Sequence, residues 1–259
     1  MVEYILNLIS EKSGALNVLT YLSSRTISST LTGLLIVLLF GDKFIQIIKK
    51  FQFNQNFDGR APESHKKKDG TPTMGGILII GSVVLSGLIW GDLSNKYLLL
   101  GLACLVGFAI IGFIDDYKKI FSLDSTGLSS TTKIFYQAMV ALVVSVILFA
   151  SSTSPQELEY IVPFFKNISI ELGVGFVFLS VFILVGSSNA VNLTDGLDGL
   201  AILPVIIITA ALGIIAWAAG NVIAAEYLYT PYLATTGELL VLCGALIGAG
   251  IGFLWFNAY

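Results

Sequence analysis

Apolar positions along this chain come in long unbroken runs. They lack the alternation of a half-buried strand. A helix rises about 1.5 Å per residue and a bilayer core is about 30 Å thick, so roughly 20 apolar residues can cross it. Seven runs approach that length, near residues 28–48, 74–90, 97–114, 133–150, 172–190, 199–219 and 238–257. The first is the least clean, because Asp42 and Lys43 interrupt it. Backbone groups in lipid must be satisfied within the segment, so the runs predict helices. A barrel would show period-two polarity, which is absent. The expected fold is all-α, a polytopic membrane protein with about seven spans in a single unit over residues 1–259.

Composition strengthens that picture. Hydrophobic residues make up 55% of the chain and charged residues 12%, with a mean hydropathy of +0.86. Soluble domains carry about 25% charged residues, so most of this surface meets lipid. A net charge of −3 with few basic residues does not suggest a nucleic-acid partner, and none is expected. Cys104 and Cys243 lie far apart in apolar runs and read as small core residues. No cleavable leader stands out.

Charge placement then predicts orientation, because cytoplasmic loops retain Lys and Arg. Lys49, Lys50, Arg60, Lys66, Lys67 and Lys68 lie between the first two spans. Lys118 and Lys119 follow the third, and Lys133 opens the fourth. The opposite side holds only Lys12, Arg25, Lys96 and Lys166. The expectation is an N-terminus outside and loops 49–73, 115–132 and 190–198 in the cytoplasm. The chain then ends at Tyr259, as the seventh span emerges on the cytoplasmic side, which suggests a polypeptide truncated at its C-terminus.

Three polar segments share that predicted side. Ser64 to Gly76 combines His65, three lysines, Thr71, Thr73 and glycines, as an anion-binding helix start would. The plainer reading is a set of topology-determining lysines before a turn, with His65 a solvated histidine. Asp115 and Asp116 sit at the end of the third span, where paired carboxylates are costly unless paired, hydrated or holding a cation. Mg²⁺ suits such a site, since it binds one or two carboxylates plus substrate phosphates. The plainer alternative is a polar helix end balanced by Lys118 and Lys119. The third segment runs from Asn189 to Leu200. There Asp195 and Asp198 are three apart and share a face of a helical turn, as do Asn189 and Asn192. Gly196 and Gly199 allow a ligand near the backbone. Together the segments suit a reaction between a water-soluble nucleotide sugar and a lipid phosphate. A carboxylate would act as base or phosphate orienter and Mg²⁺ would neutralise the diphosphate.

These motifs resemble the polyprenyl-phosphate N-acetylhexosamine-1-phosphate transferase superfamily. The Gly-Thr-Pro-Thr-Met-Gly-Gly run at 70–76, Asp-Asp-Tyr-Lys-Lys at 115–119 and Asn-Leu-Thr-Asp-Gly-Leu-Asp-Gly at 192–199 resemble its phospho-N-acetylmuramoyl-pentapeptide transferases. The resemblance covers the chain from about residue 30 onward. It implies transfer of phospho-MurNAc-pentapeptide from UDP to undecaprenyl phosphate, with Mg²⁺, in a bacterial cytoplasmic membrane. The products would be UMP and the first lipid-linked cell-wall intermediate. It implies that Asp115 deprotonates or positions the lipid phosphate and that Asp116 orients the metal-diphosphate and ligates the metal. Asp198 would join them as a catalytic residue. Asn189, Asn192, Asp195, Gly196 and Leu197 would line the nucleotide site, with Lys68, Thr73 and Lys133 also binding substrate. It further implies a homodimer. The family has about ten spans, with a further essential aspartate and a histidine cluster in later loops. The resemblance therefore places a further metal ligand beyond Tyr259, and implies that this chain is an incomplete, weakly active or inactive fragment. The competing readings are a related UDP-GlcNAc transferase, a transporter, and a non-catalytic membrane fragment. Acidic pairs at helix ends, not at the bilayer midplane, argue against transport.

Overall fold

The structure is a computed structural model that describes residues 14–51, 75–121, 127–162, 165, 168–194 and 201–257. A short 3₁₀ turn, Gly14–Thr20, leads into α1 (Leu22–Phe51). Then come α2 (Gly76–Trp90), α3 (Lys96–Phe121) and α4 (Ser130–Ala150). A 3₁₀ turn at Pro155–Leu158 introduces a small antiparallel hairpin, β1 (Glu159–Ile161) with β2 (Ser169–Glu171), in which Tyr160 faces Ile170. The chain continues as α5 (Gly175–Thr194), α6 (Ile202–Ala219), the short α7 (Val222–Leu228) and α8 (Leu239–Asn257). Among the described residues six helices are long and apolar enough to cross a membrane, and α2 is a shorter apolar helix. The protein is thus an all-helical, multi-pass membrane protein.

Each expected span has its helix, but several boundaries move. Helix α1 starts at Leu22, not residue 28, and runs unbroken through Asp42 and Lys43, both exposed on its surface. Arg25, expected in a loop, lies in its first turns. Helix α3 carries Asp115 to Lys119 inside its last turns, where a loop was expected, and α5 likewise includes Asn192. No Gly or Pro breaks the sequence after Gly112, Asp115 and Lys119 support each other at i,i+4, and terminal lysines suit the negative end of the helix dipole. The hairpin was not expected, since three-residue strands are too short to show alternation.

Helix α8 is the central element and packs on α1, α2, α3 and α6. Its contact with α1 is built from small residues, as in helices that associate inside lipid. A Cβ on Gly248 would overlap the Thr30 carbonyl, and one on Gly33 would sit 2.6 Å from the Ala245 carbonyl oxygen. Val37, Val83, Ala245 and Ala249 form the buried core beside this seam.

One end of the bundle is closed by polar clamps. Arg25 makes a bidentate ion pair with Glu238, with Nη2 3.0 Å from Oε2, and both side chains are buried. The Asp92 amide also donates to Glu238 Oε1 at 2.7 Å. Asn95 caps α3 by accepting from the Tyr97 and Leu98 amides, and its own amide donates to the Thr235 carbonyl. Lys96 reaches the Ser151 carbonyl and Glu157, tying α3 to the segment before the hairpin. The opposite end carries the expected site.

Candidate functional site

Three helix termini meet at that second end: the C-terminal turns of α3 and α5 and the first turns of α4. Asp115 and Asp116 are neighbours on α3, so their side chains leave the helix about 100° apart. Asp115 points inward and is 5% exposed. Its Oδ2 accepts from Lys119 Nζ at 2.7 Å and lies 3.6 Å from Lys133 Nζ, while Oδ1 accepts the Leu128 amide at 2.8 Å. Asp116 is more open, with a side chain 37% exposed and only a long 3.4 Å contact to Lys119. The plain balancing of carboxylates by lysines is therefore partly realised, through Lys119.

Helix α4 joins the other two. Ser129 caps it, accepting from the Thr132 amide at 3.2 Å, and Lys133 follows in the first turn. One turn further, the buried Gln137 accepts from Asn189 Nδ2 at 2.7 Å and donates to Ser188 Oγ at 3.2 Å, both on α5. Lys133 and Gln137 share a face of α4, so one stripe meets α3 at the first position and α5 at the second. Asn189 also donates to the Val185 carbonyl, which fixes its rotamer. Asn192 is exposed one turn beyond.

A groove of about 850 Å³ opens between α2, α3, α5 and α6. Its walls are apolar along most of their length, with Ile80, Leu105, Phe108 and Val205 among them. Asp116, Ser187 and Ser188 line it too. Asp116 thus connects the acid–amine cluster with an apolar trough.

The structure brings together Asp115, Asp116, Lys133 and Asn189 of the expected site. Lys68, Thr73, Asp195, Gly196, Leu197 and Asp198 lie outside the described residues, as does His65. Tyr259, beyond which a further metal ligand was expected, also lies outside them, because the described part of α8 closes at Asn257. Among the described residues no group of three or more His, Cys, Asp or Glu side chains could hold a metal by itself. The expected ligation by Asp116 therefore has no complete three-ligand protein set around it among those residues. Sequence reasoning missed Gln137, Ser188 and Gly127. A glutamine one helical turn after Lys133, inside an apolar run, was the available signal for the first.

At one end of this helical membrane bundle, then, an acid–amine cluster opens on an apolar trough. The family model of glycosyl transferase family 4 matches residues 98–259, the stretch that contains this cluster. Signature 1 of the phospho-N-acetylmuramoyl-pentapeptide transferases matches residues 68–80, which run into α2. The chain belongs to glycosyl transferase family 4, as a polyprenyl-phosphate sugar-phosphate transferase.

Proposed function

We propose that this phosphosugar transferase moves phospho-MurNAc-pentapeptide from UDP to undecaprenyl phosphate, with its site end facing the cytoplasm of a bacterium. The observation that carries the donor choice is the signature over residues 68–80, beside a family match that all such transferases share. In the reaction an oxygen of the lipid phosphate attacks the phosphorus that bears the sugar. The phosphoanhydride bond breaks, UMP leaves, and a new diphosphate links lipid to sugar.

The chain's own residues suit parts of this chemistry. Asp116 is a partly exposed carboxylate with little competition from protein donors. It fits a Mg²⁺ ion that arrives on a diphosphate, since Mg²⁺ takes one or two carboxylates plus phosphate oxygens. Such an ion would neutralise charge on the diphosphate and the departing UMP. Lys133 and Lys119 supply positive charge beside it. The apolar trough next to Asp116 suits a prenyl chain whose phosphate must reach the polar end. Asp195 and Asp198, with Lys68, would complete the nucleotide side.

The test is UMP release in detergent from UDP-MurNAc-pentapeptide and, separately, from UDP-GlcNAc, with undecaprenyl phosphate and with or without Mg²⁺. Release from the muramoyl donor and not from UDP-GlcNAc, however slow in this chain, and abolished by chelation, is the expected result. Release from UDP-GlcNAc alone would reassign the donor, and chelator-resistant turnover would remove the metal.

A further inference from the structure

Asp115 is arranged unlike a group waiting for substrate. It is buried, and both of its oxygens are committed to protein donors: Oδ1 to the Leu128 amide, Oδ2 to Lys119 with Lys133 close by. The backbone that delivers the Leu128 amide is equally constrained. Gly127 has φ +69°, in the left-handed region where side chains are strained. A Cβ there would stand 2.7 Å from Asp115 Oδ1 and 2.9 Å from Lys119 Cε. Glycine is therefore favoured by conformation, and a side chain there would also have to displace the Asp115 carboxylate or the Lys119 chain. Immediately after Leu128, Ser129 caps α4, and the Lys133 amide donates to the Ser129 carbonyl at 2.9 Å. One connected path runs from the Asp115 carboxylate through the Leu128 amide and the cap to Lys133.

We propose that Asp115 and Gly127 form a latch that seats the start of α4 on the end of α3 and thereby sets the position of Lys133. Both are positioning residues. Asp116 is left as the carboxylate of the pair that meets ligand. The latch also explains how two adjacent acids can differ in use: the helix turns one into the protein and the other into the groove. The catalytic consequence rests on the transferase reading, whereas the latch itself rests on geometry.

The test has two arms on the 259-residue chain in detergent, using Asp115→Asn, Gly127→Ala and the double variant. In the first arm each lysine's acylation by an N-hydroxysuccinimide ester is followed by mass spectrometry. Lys133 should react several-fold faster in both single variants, while Lys96, held by Glu157 at the far end, should not change. Unchanged Lys133 reactivity in folded variants would overturn the latch. Asp115→Asn preserves shape and supplies the answer if Gly127→Ala does not fold. In the second arm, Gly127→Ala should lower kcat about tenfold or more through misplacement, with KM for the UDP donor unchanged. Its effect should shrink in the Asp115→Asn background, because the two act through one contact. Additive effects, or a change in KM alone, would overturn the positioning role. A wild-type chain without turnover on either UDP donor would count against the transferase reading alone, because the labelling arm needs no turnover and decides the latch by itself.

Discussion

At the scale of single residues, the molecule depends on places where nothing larger fits and where charge is enclosed. Gly248 is the first kind: alanine there should cost about 1–3 kcal/mol, because overpacking must push α1 from α8. Gly81, whose added Cβ would meet open space, is the matched control and should tolerate alanine. Thermal unfolding in detergent checks both, and equal losses would refute the close seam. Glu238 is the second kind. Glu238→Gln should destabilise by about 3–5 kcal/mol, since it leaves the Arg25 charge buried against a neutral partner. Replacing both partners with apolar residues should recover much of that loss in the same assay. The acids of the site show how far sequence could see at this scale. Adjacent Asp115 and Asp116 were visible as costly charges near lipid, but their different surroundings were hidden while the segment was read as a loop. Helical geometry separates them, and only the fold supplies the Leu128 amide that occupies Asp115.

At the scale of elements, hydropathy located every spanning helix, because desolvation of a run of side chains is a local property of sequence. It could not locate ends set by partners. Helix α1 gains its first turns where Arg25 meets Glu238, more than 200 positions away in the chain. Helix α3 keeps its last turns through its own charge pairs. The hairpin region has a pH signature of its own. Burial raises the Glu157 carboxyl, but hydrogen bonds from Lys96 and from the Thr153 amide and hydroxyl outweigh it, holding the group down at about 2. A depressed carboxylate contributes stability above its ordinary value near 4.5, and that contribution fades as pH falls towards 2. The melting penalty of Glu157→Gln should therefore be constant from neutral pH down to about 5 and shrink below it. A penalty that grows on acidification would contradict the lash between α3 and this turn.

At the scale of the whole molecule, the alternating helices put Asp115, Lys133 and Asn189 at one end and Glu157 and Glu238 at the other. The proposed orientation, with the first end cytoplasmic, rests on the distribution of lysines. With Cys104 and Cys243 replaced by alanine, a membrane-impermeant maleimide applied to intact cells should label a cysteine at Ser154 and spare one at Ser130. The reverse pattern would invert the protein in its membrane. Packing was hardly legible: the glycines of α8 stood in the sequence, but only the paired helices show which backbone each one admits. That seam has a consequence for motion. In α8 39% of the spanning window is enclosed by protein, against 6% in α5, so the two spans are unequally anchored. Amide exchange should be slowest in α1 and α8 and fastest among the spans in α5, with the opening of α5 costing less than global unfolding. The helix that carries Asn189 would then be the one freest to breathe, so its wall of the groove can rearrange while the glycine seam keeps its register.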